Sequence, residues 1–107
     1  MMDIFNREEL LERIGEDEEL MIELIELFKE DYPEKIVAIQ RGLETGDSES
    51  VRKSAHGLKG SAGNLSFNAL SERAKNIELA ARDGNMDSAA EEFPLLMEEL
   101  DRLLPMI

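Results

Sequence analysis

The stretch Ser54-Ala55-His56-Gly57-Leu58-Lys59-Gly60-Ser61-Ala62-Gly63-Asn64-Leu65 holds the only histidine of a 107-residue chain. Imidazole is the side chain best suited to act as nucleophile or base near neutral pH. Lys59 follows three positions later, close to His56 if the segment is helical. An ammonium beside a nucleophilic ring suits the arrival of an anionic group. A phosphoryl group would find such a site hospitable, because Lys59 can reach one of its oxygens and offset its charge.

The segment reads as a helix with two working faces. Val51, Ala55, Leu58, Ala62 and Leu65 recur at steps of four and three and form a core stripe. At ~100° per residue, Arg52, His56, Lys59, Gly60 and Gly63 gather on another stripe, roughly 140° from the core direction. His56 is therefore predicted to be exposed or half exposed. Three glycines in this helix, Gly57, Gly60 and Gly63, cost it about 3 kcal/mol of helix propensity. Gly60 sits one turn beyond His56, where a side chain would crowd a group on the imidazole, and Gly63 clears the same face for another turn. Close helix packing explains Gly57 better, since it lies to one side of the stripe. Residues 50 to 71 contain no Asp or Glu, although the chain has 25, and they include Arg52, Lys53 and Lys59. The surface around His56 is expected to be locally positive on an acidic body.

The rest of the chain supplies helices to hold this one. Asn6 with Glu9 resembles a capping box opening a short helix over Arg7 to Ile14, which Gly15 closes. Asp17 caps a longer helix with the stripe Leu20, Leu24, Leu27, Phe28, Ile36, Ile39 and Leu43; Pro33 should kink or divide it. Gly46 ends that helix and Asp47 caps the third, from about Ser48 to Leu65. Asn68 caps a fourth with Leu70, Ala74, Ile77 and Ala81 on one face, ending near Gly84. Asp87 caps a fifth carrying Ala90, Phe93, Leu96, Leu100 and Leu103, with Pro94 bending it or marking where regular pairing begins. Short connections favour antiparallel neighbours. The expected fold is all-α: an up-and-down four-helix bundle with a short additional N-terminal helix, one domain over residues 1–107. Met21, Met86 and Met97 read as gap-fillers in or near the core, and Tyr32 as packing beside Pro33.

Composition removes several classes. With 42% apolar and 35% charged residues, the chain resembles an ordinary soluble globule. It has no cysteine, so disulfides and thiolate metal sites are excluded. No apolar run approaches the ~20 residues of a membrane span, and the default address is cytoplasmic. A net charge of −13 argues against nucleic acid as a partner. One histidine cannot furnish the paired Glu-x-x-His motifs of a di-iron bundle. No phosphate-binding loop of the P-loop pattern is present, and no cofactor or metal is expected.

His56-Gly57-Leu58-Lys59-Gly60-Ser61-Ala62 resembles the His-x-x-Lys-Gly-Ser/Ala-Ser/Ala signature of histidine-containing phosphotransfer (HPt) domains of multistep phosphorelays. The resemblance covers most of the chain, including the helix order and a long preceding helix with a proline, here Pro33. It implies that His56 is the phosphoacceptor, attacking through its distal nitrogen, that Lys59 stabilises the phosphoryl oxygens, and that Gly60 leaves room for them. Such domains often carry Gln or Glu 22 positions after the histidine, bonded to the proximal nitrogen. Glu78 stands there; a solvated acid on an acidic helix would read the same way. Arg52, Gly63, Asn64 and Phe67 are the expected partner-binding residues. The family commonly has Gly-Ala where Ser66-Phe67 stand, and Phe67 either caps the end of the bundle or gives the docking surface an apolar edge.

The resemblance implies response-regulator receiver domains, or a hybrid histidine kinase, as partners of a monomeric phosphocarrier that is not itself an enzyme. Two alternatives stay open: the phosphoacceptor domain of a chemotaxis-type histidine kinase, and an interaction module that no longer transfers phosphate. Met1-Met2 and the apolar ending Leu103 to Ile107 fit a free-standing protein; an excised segment would look the same.

Overall fold

Four of the five helix starts are set by a short polar side chain whose oxygen accepts a backbone N–H three residues on. In the computed structural model, which describes residues 2–107 and leaves Met1 outside, Asn6, Asp17, Asp47 and Asn85 each do so at 3.0–3.2 Å. The helices are α1 (Arg7–Arg13), α2 (Glu18–Thr45), α3 (Ser48–Asn64), α4 (Asn68–Arg82) and α5 (Met86–Leu103), followed by a 3₁₀ turn at Leu104–Met106. Connections of two or three residues join α2 to α5 in succession, so neighbours run antiparallel in an up-and-down bundle with α1 as the extra helix. Gly46 ends α2 in the left-handed region, φ 73°, where a Cβ would be strained.

Two caps differ from the sequence expectation. Asn85, not Asp87, caps α5; Asp87 lies in the first turn, where its charge suits the helix dipole. Phe67 rather than Asn68 occupies the cap position of α4 and makes no side-chain cap bond. The amino-terminal segment supplies an acceptor there instead, since the Ala69 N–H donates to the Asp3 carbonyl at 2.8 Å. Both α2 and α5 continue as helices through Pro33 and Pro94, so neither proline divides its helix. Both face solvent, where a carbonyl deprived of its N–H partner can turn to water.

The stripes expected on α3 and α4 are buried in full, and so are Leu96, Leu100 and Leu103 of α5; nearer the start of α5, Ala89 is inside in place of Ala90, and Phe93 is half-buried. The stripe on α2 is different. Met21, Ile25, Phe28 and Ile39 are buried, whereas Leu20 and Leu27 are 36% and 55% exposed. At ~1.5 Å per residue, α2 outreaches α3 by more than three turns. Its amino-terminal stretch therefore passes beyond the end of α3 and joins Leu10 and Leu11 of α1 in the core. That second partner rotates the buried face by one position.

The α3–α4 turn explains the Ser66-Phe67 departure. Ser66 is buried with φ 60°, a conformation glycine adopts freely and serine at a cost of about 1–2 kcal/mol. Its hydroxyl donates to Glu9 Oε1 at 2.9 Å, and its carbonyl accepts from the Asn6 N–H at 3.1 Å. Phe67 is fully buried, edge-on to both Phe5 and Phe28 with ring centroids 5.1 and 4.9 Å apart. It closes the end of the bundle. Phe67 is thus corrected from a docking residue to a core residue, because no part of it reaches the surface.

Candidate functional site

Two helices make the site. Ala55, Leu58 and Ala62 of α3 and Ala74, Ile77 and Ala81 of α4 are buried, and these mostly small residues let the two backbones run close. Burying Ile77 places its neighbour Glu78 at the seam, facing the flank of α3 that carries His56 and Lys59. The Glu78 carboxylate is only 12% exposed and uses both oxygens: Oε2 lies 2.6 Å from His56 Nδ1, and Oε1 lies 2.7 Å from Lys59 Nζ.

The protonation pattern follows. Burial of Glu78 works to raise its pKa, but hydrogen bonds from Lys59 and His56, together with their charges, outweigh it and hold the carboxyl below its ordinary value of 4.5. At neutral pH the group is a carboxylate and can only accept. Nδ1 must therefore carry the proton of a neutral imidazole, which leaves the lone pair on Nε2. The ring is 63% exposed, so this lone pair points away from Glu78 toward solvent. Lys59 commits one of its three donors to Glu78 and keeps the others for an incoming oxygen.

The remaining sequence-derived residues divide. At Gly60 an added Cβ would meet nothing within 4 Å, so the surface one turn past the imidazole is bare. At Gly63 a Cβ would sit 3.2 Å from Ser71 Oγ, whose hydroxyl donates to the Lys59 carbonyl at 3.0 Å. Gly63 is thus corrected from a clearing residue to a packing residue of the α3–α4 seam. Its carbonyl also accepts from Arg13 at 3.0 Å, tying α1 to the end of α3. Arg52 is half-buried and forks onto Glu49 at 2.7 and 3.3 Å. With Arg52 and Lys59 both paired, the positive surface expected around His56 is partly neutralised. Asn64 is exposed as expected.

Sequence reasoning missed a groove beside this face. Leu24, Leu27 and Asp31 of α2 and Ser61, Asn64 and Leu65 at the end of α3 line a shallow depression of about 160 Å³. The signal was a surplus: Leu20, Met21, Ile22, Leu24, Ile25, Leu27 and Phe28 are more apolar residues than one stripe can bury. A wider groove, about 530 Å³ along Pro33, Val37 and Arg41, is lined by none of His56, Lys59 or Glu78. The imidazole stands on an open face, where the other reactant must bring its own walls. Among the described residues no helix is long and apolar enough to cross a membrane.

Comparison with known proteins agrees with the geometry. Residues 23–105 match the family described as Hpt domain. The fold superposes on the crystal structure of histidine-containing phosphotransfer protein B (HptB) from Pseudomonas aeruginosa PAO1 with a TM-score of 0.89 at 22% identity. The match covers 99% of this chain and 92% of that one. No curated protein matches the chain.

Proposed function

The chain belongs to the Hpt domain family, which works by histidine phosphotransfer in phosphorelays, and we propose that His56 is the residue that carries the phosphoryl group. The observation behind this reading is the 2.6 Å contact between Nδ1 and Glu78. In the neutral ring it holds the proton on Nδ1 and turns the Nε2 lone pair outward, with Lys59 beside it. The donor is an aspartyl phosphate on a receiver domain. Nε2 approaches phosphorus in line, the P–N bond forms as the P–O bond breaks, and the carboxylate leaves with the bonding pair. The positive charge that develops on the ring is balanced by Glu78 through the Nδ1 proton, and Lys59 holds a phosphoryl oxygen. Gly60 leaves space for the group and for the partner's loops.

In this reading the chain is a phosphocarrier rather than an enzyme, since the partner supplies the metal and most of the catalysis. The working unit is a cytoplasmic monomer whose long helices bury their stripes against one another. Leu24 and Leu27, edged by Asn64, give the receiver an apolar shelf to dock on, about one and a half to two turns along α3 from His56. Arg52 stands on the same face as the imidazole. The test is transfer from phosphorylated receiver domains, or from a hybrid histidine kinase, to the purified chain beside a His56→Gln control. Acid-labile, base-stable label on the wild type alone is the expected result. A folded wild type left unlabelled by a broad panel would overturn the reading.

A further inference from the structure

Of the 12 Lys and Arg residues, Lys35, Arg41 and Lys75 alone lack a carboxylate within 4.0 Å among the described residues. For Lys35 this is not for want of acids, because Asp31 stands one turn earlier on α2 and Glu34 is its neighbour. Its stem turns away from both and crosses onto α3 at Gly57. A Cβ at Gly57 would lie 3.0 Å from Lys35 Cε and 3.6 Å from Cδ. The missing side chain at position 57 is therefore the seat of the lysine stem. This is the glycine for which close packing was expected, but a side chain from α2 crosses it.

The position matters because Gly57 adjoins His56. Around the axis of α3, Lys59 lies ~60° to one side of the imidazole and Gly57 ~100° to the other. Lys59 and Glu78 occupy the flank toward α4, and Lys35 enters from the flank toward α2. We infer that Lys35, seated on Gly57, is a second cation of the phosphoacceptor site, drawing in the anionic donor from the side opposite Lys59. The inference rests on His56 being the phosphoacceptor. Lys59 is half committed to Glu78, whereas Lys35 brings uncompensated charge to a chain whose overall −13 repels a phosphorylated partner.

The test needs no partner. Phosphoramidate, an anion, phosphorylates imidazole directly: the P–N bond to the leaving ammonia breaks as the P–Nε2 bond forms. Diethylpyrocarbonate, which is neutral, acylates the same ring, and His56 is the only histidine. In a largely aqueous setting, one charge within about 10 Å of the reacting centre changes the rate with an anion by about 2- to 3-fold at low salt. Lys35→Ala is expected to lose that factor with phosphoramidate, to match the wild type near 1 M salt, and to react normally with diethylpyrocarbonate. Lys35→Arg should keep most of the rate. Gly57→Ala should fold, since its nearest obstacle is the flexible end of a side chain, and should show the same loss with Lys35 still present.

A Lys35→Ala rate equal to wild type at low salt would overturn the inference. So would an equal loss with the neutral reagent, which would point to a disturbed helix. Wild-type kinetics in Gly57→Ala alone would remove the seat. If the wild type accepts diethylpyrocarbonate but no phosphoryl group, the phosphoacceptor reading itself falls and Lys35 with it.

Discussion

Replacing Glu78 separates the roles of the carboxylate most cleanly. Glu78→Ala removes two hydrogen bonds at 2.6 and 2.7 Å from a group that is only 12% exposed. Charge-assisted bonds of this kind contribute about 1.5–3 kcal/mol each when buried. Here both donors are partly in water, so a total near 1–2 kcal/mol is expected for stability. The kinetic effect should be larger in proportion. Without an acceptor at Nδ1 the ring is free to rotate and to place its proton on Nε2, where it blocks attack. Loss of a carboxylate that orients a histidine typically costs 10- to 100-fold, and that range is expected for phosphorylation of His56. Glu78→Gln keeps one carbonyl oxygen for Nδ1 but turns an amide N–H₂ toward Lys59, so a loss within about 10-fold is expected. The assay is the labelling rate with phosphoramidate, paired with nitrogen chemical shifts of the single imidazole. Those shifts should report protonated Nδ1 in the wild type and in Glu78→Gln, and mixed tautomers in Glu78→Ala. A folded Glu78→Ala that keeps the Nδ1–H tautomer and the wild-type rate would refute the reasoning.

Three further outcomes follow from the same geometry. Because the folded state depresses the Glu78 pKa, its contribution to stability is present above about 4.5 and is lost as pH falls through the lower folded value; acid titration of Glu78→Gln by circular dichroism should lack that part of the slope. Gly60→Ala meets no atom within 4 Å and restores helix propensity, so denaturant unfolding should show a gain of up to about 1 kcal/mol while transfer from a receiver slows. Leu27→Glu changes a side chain that is 55% exposed; stability should move by less than about 0.5 kcal/mol, phosphoramidate labelling should be unchanged, and receiver transfer should weaken.

The sequence made α3 legible in detail. Its core stripe and its outward stripe are separated by regular spacing, and a helix covered along its whole length by α2 on one side and α4 on the other must obey that spacing. Glu78 could be placed opposite His56 only through a family resemblance, because the contact joins residues 22 positions apart across a turn. In the structure the carboxylate is largely buried and lies 2.6 Å from Nδ1, the geometry an orienting acid needs. The reading of α2 went astray where packing overrides periodicity: an overhang covered by α1 buries Met21 and Ile25 in place of Leu20 and Leu27. Gly63 and Phe67 failed for a related reason. Each has the right residue type for a surface role, and only the path of a neighbouring element decides otherwise: Ser71 packs over the half-buried Gly63, and Phe5 with Phe28 encloses Phe67.

His56, the carboxylate against it and Lys59, the proposed site of reaction, all belong to α3 and α4, which a three-residue turn joins into one hairpin. The apolar shelf and Lys35 belong largely to α2. On the proposed function, reactivity and recognition are thereby written on different parts of the chain and can drift at different rates. Exchanging the exposed positions of α2 should redirect the domain to a new partner with the hairpin left intact, which makes this helix the place to begin rewiring a signalling circuit.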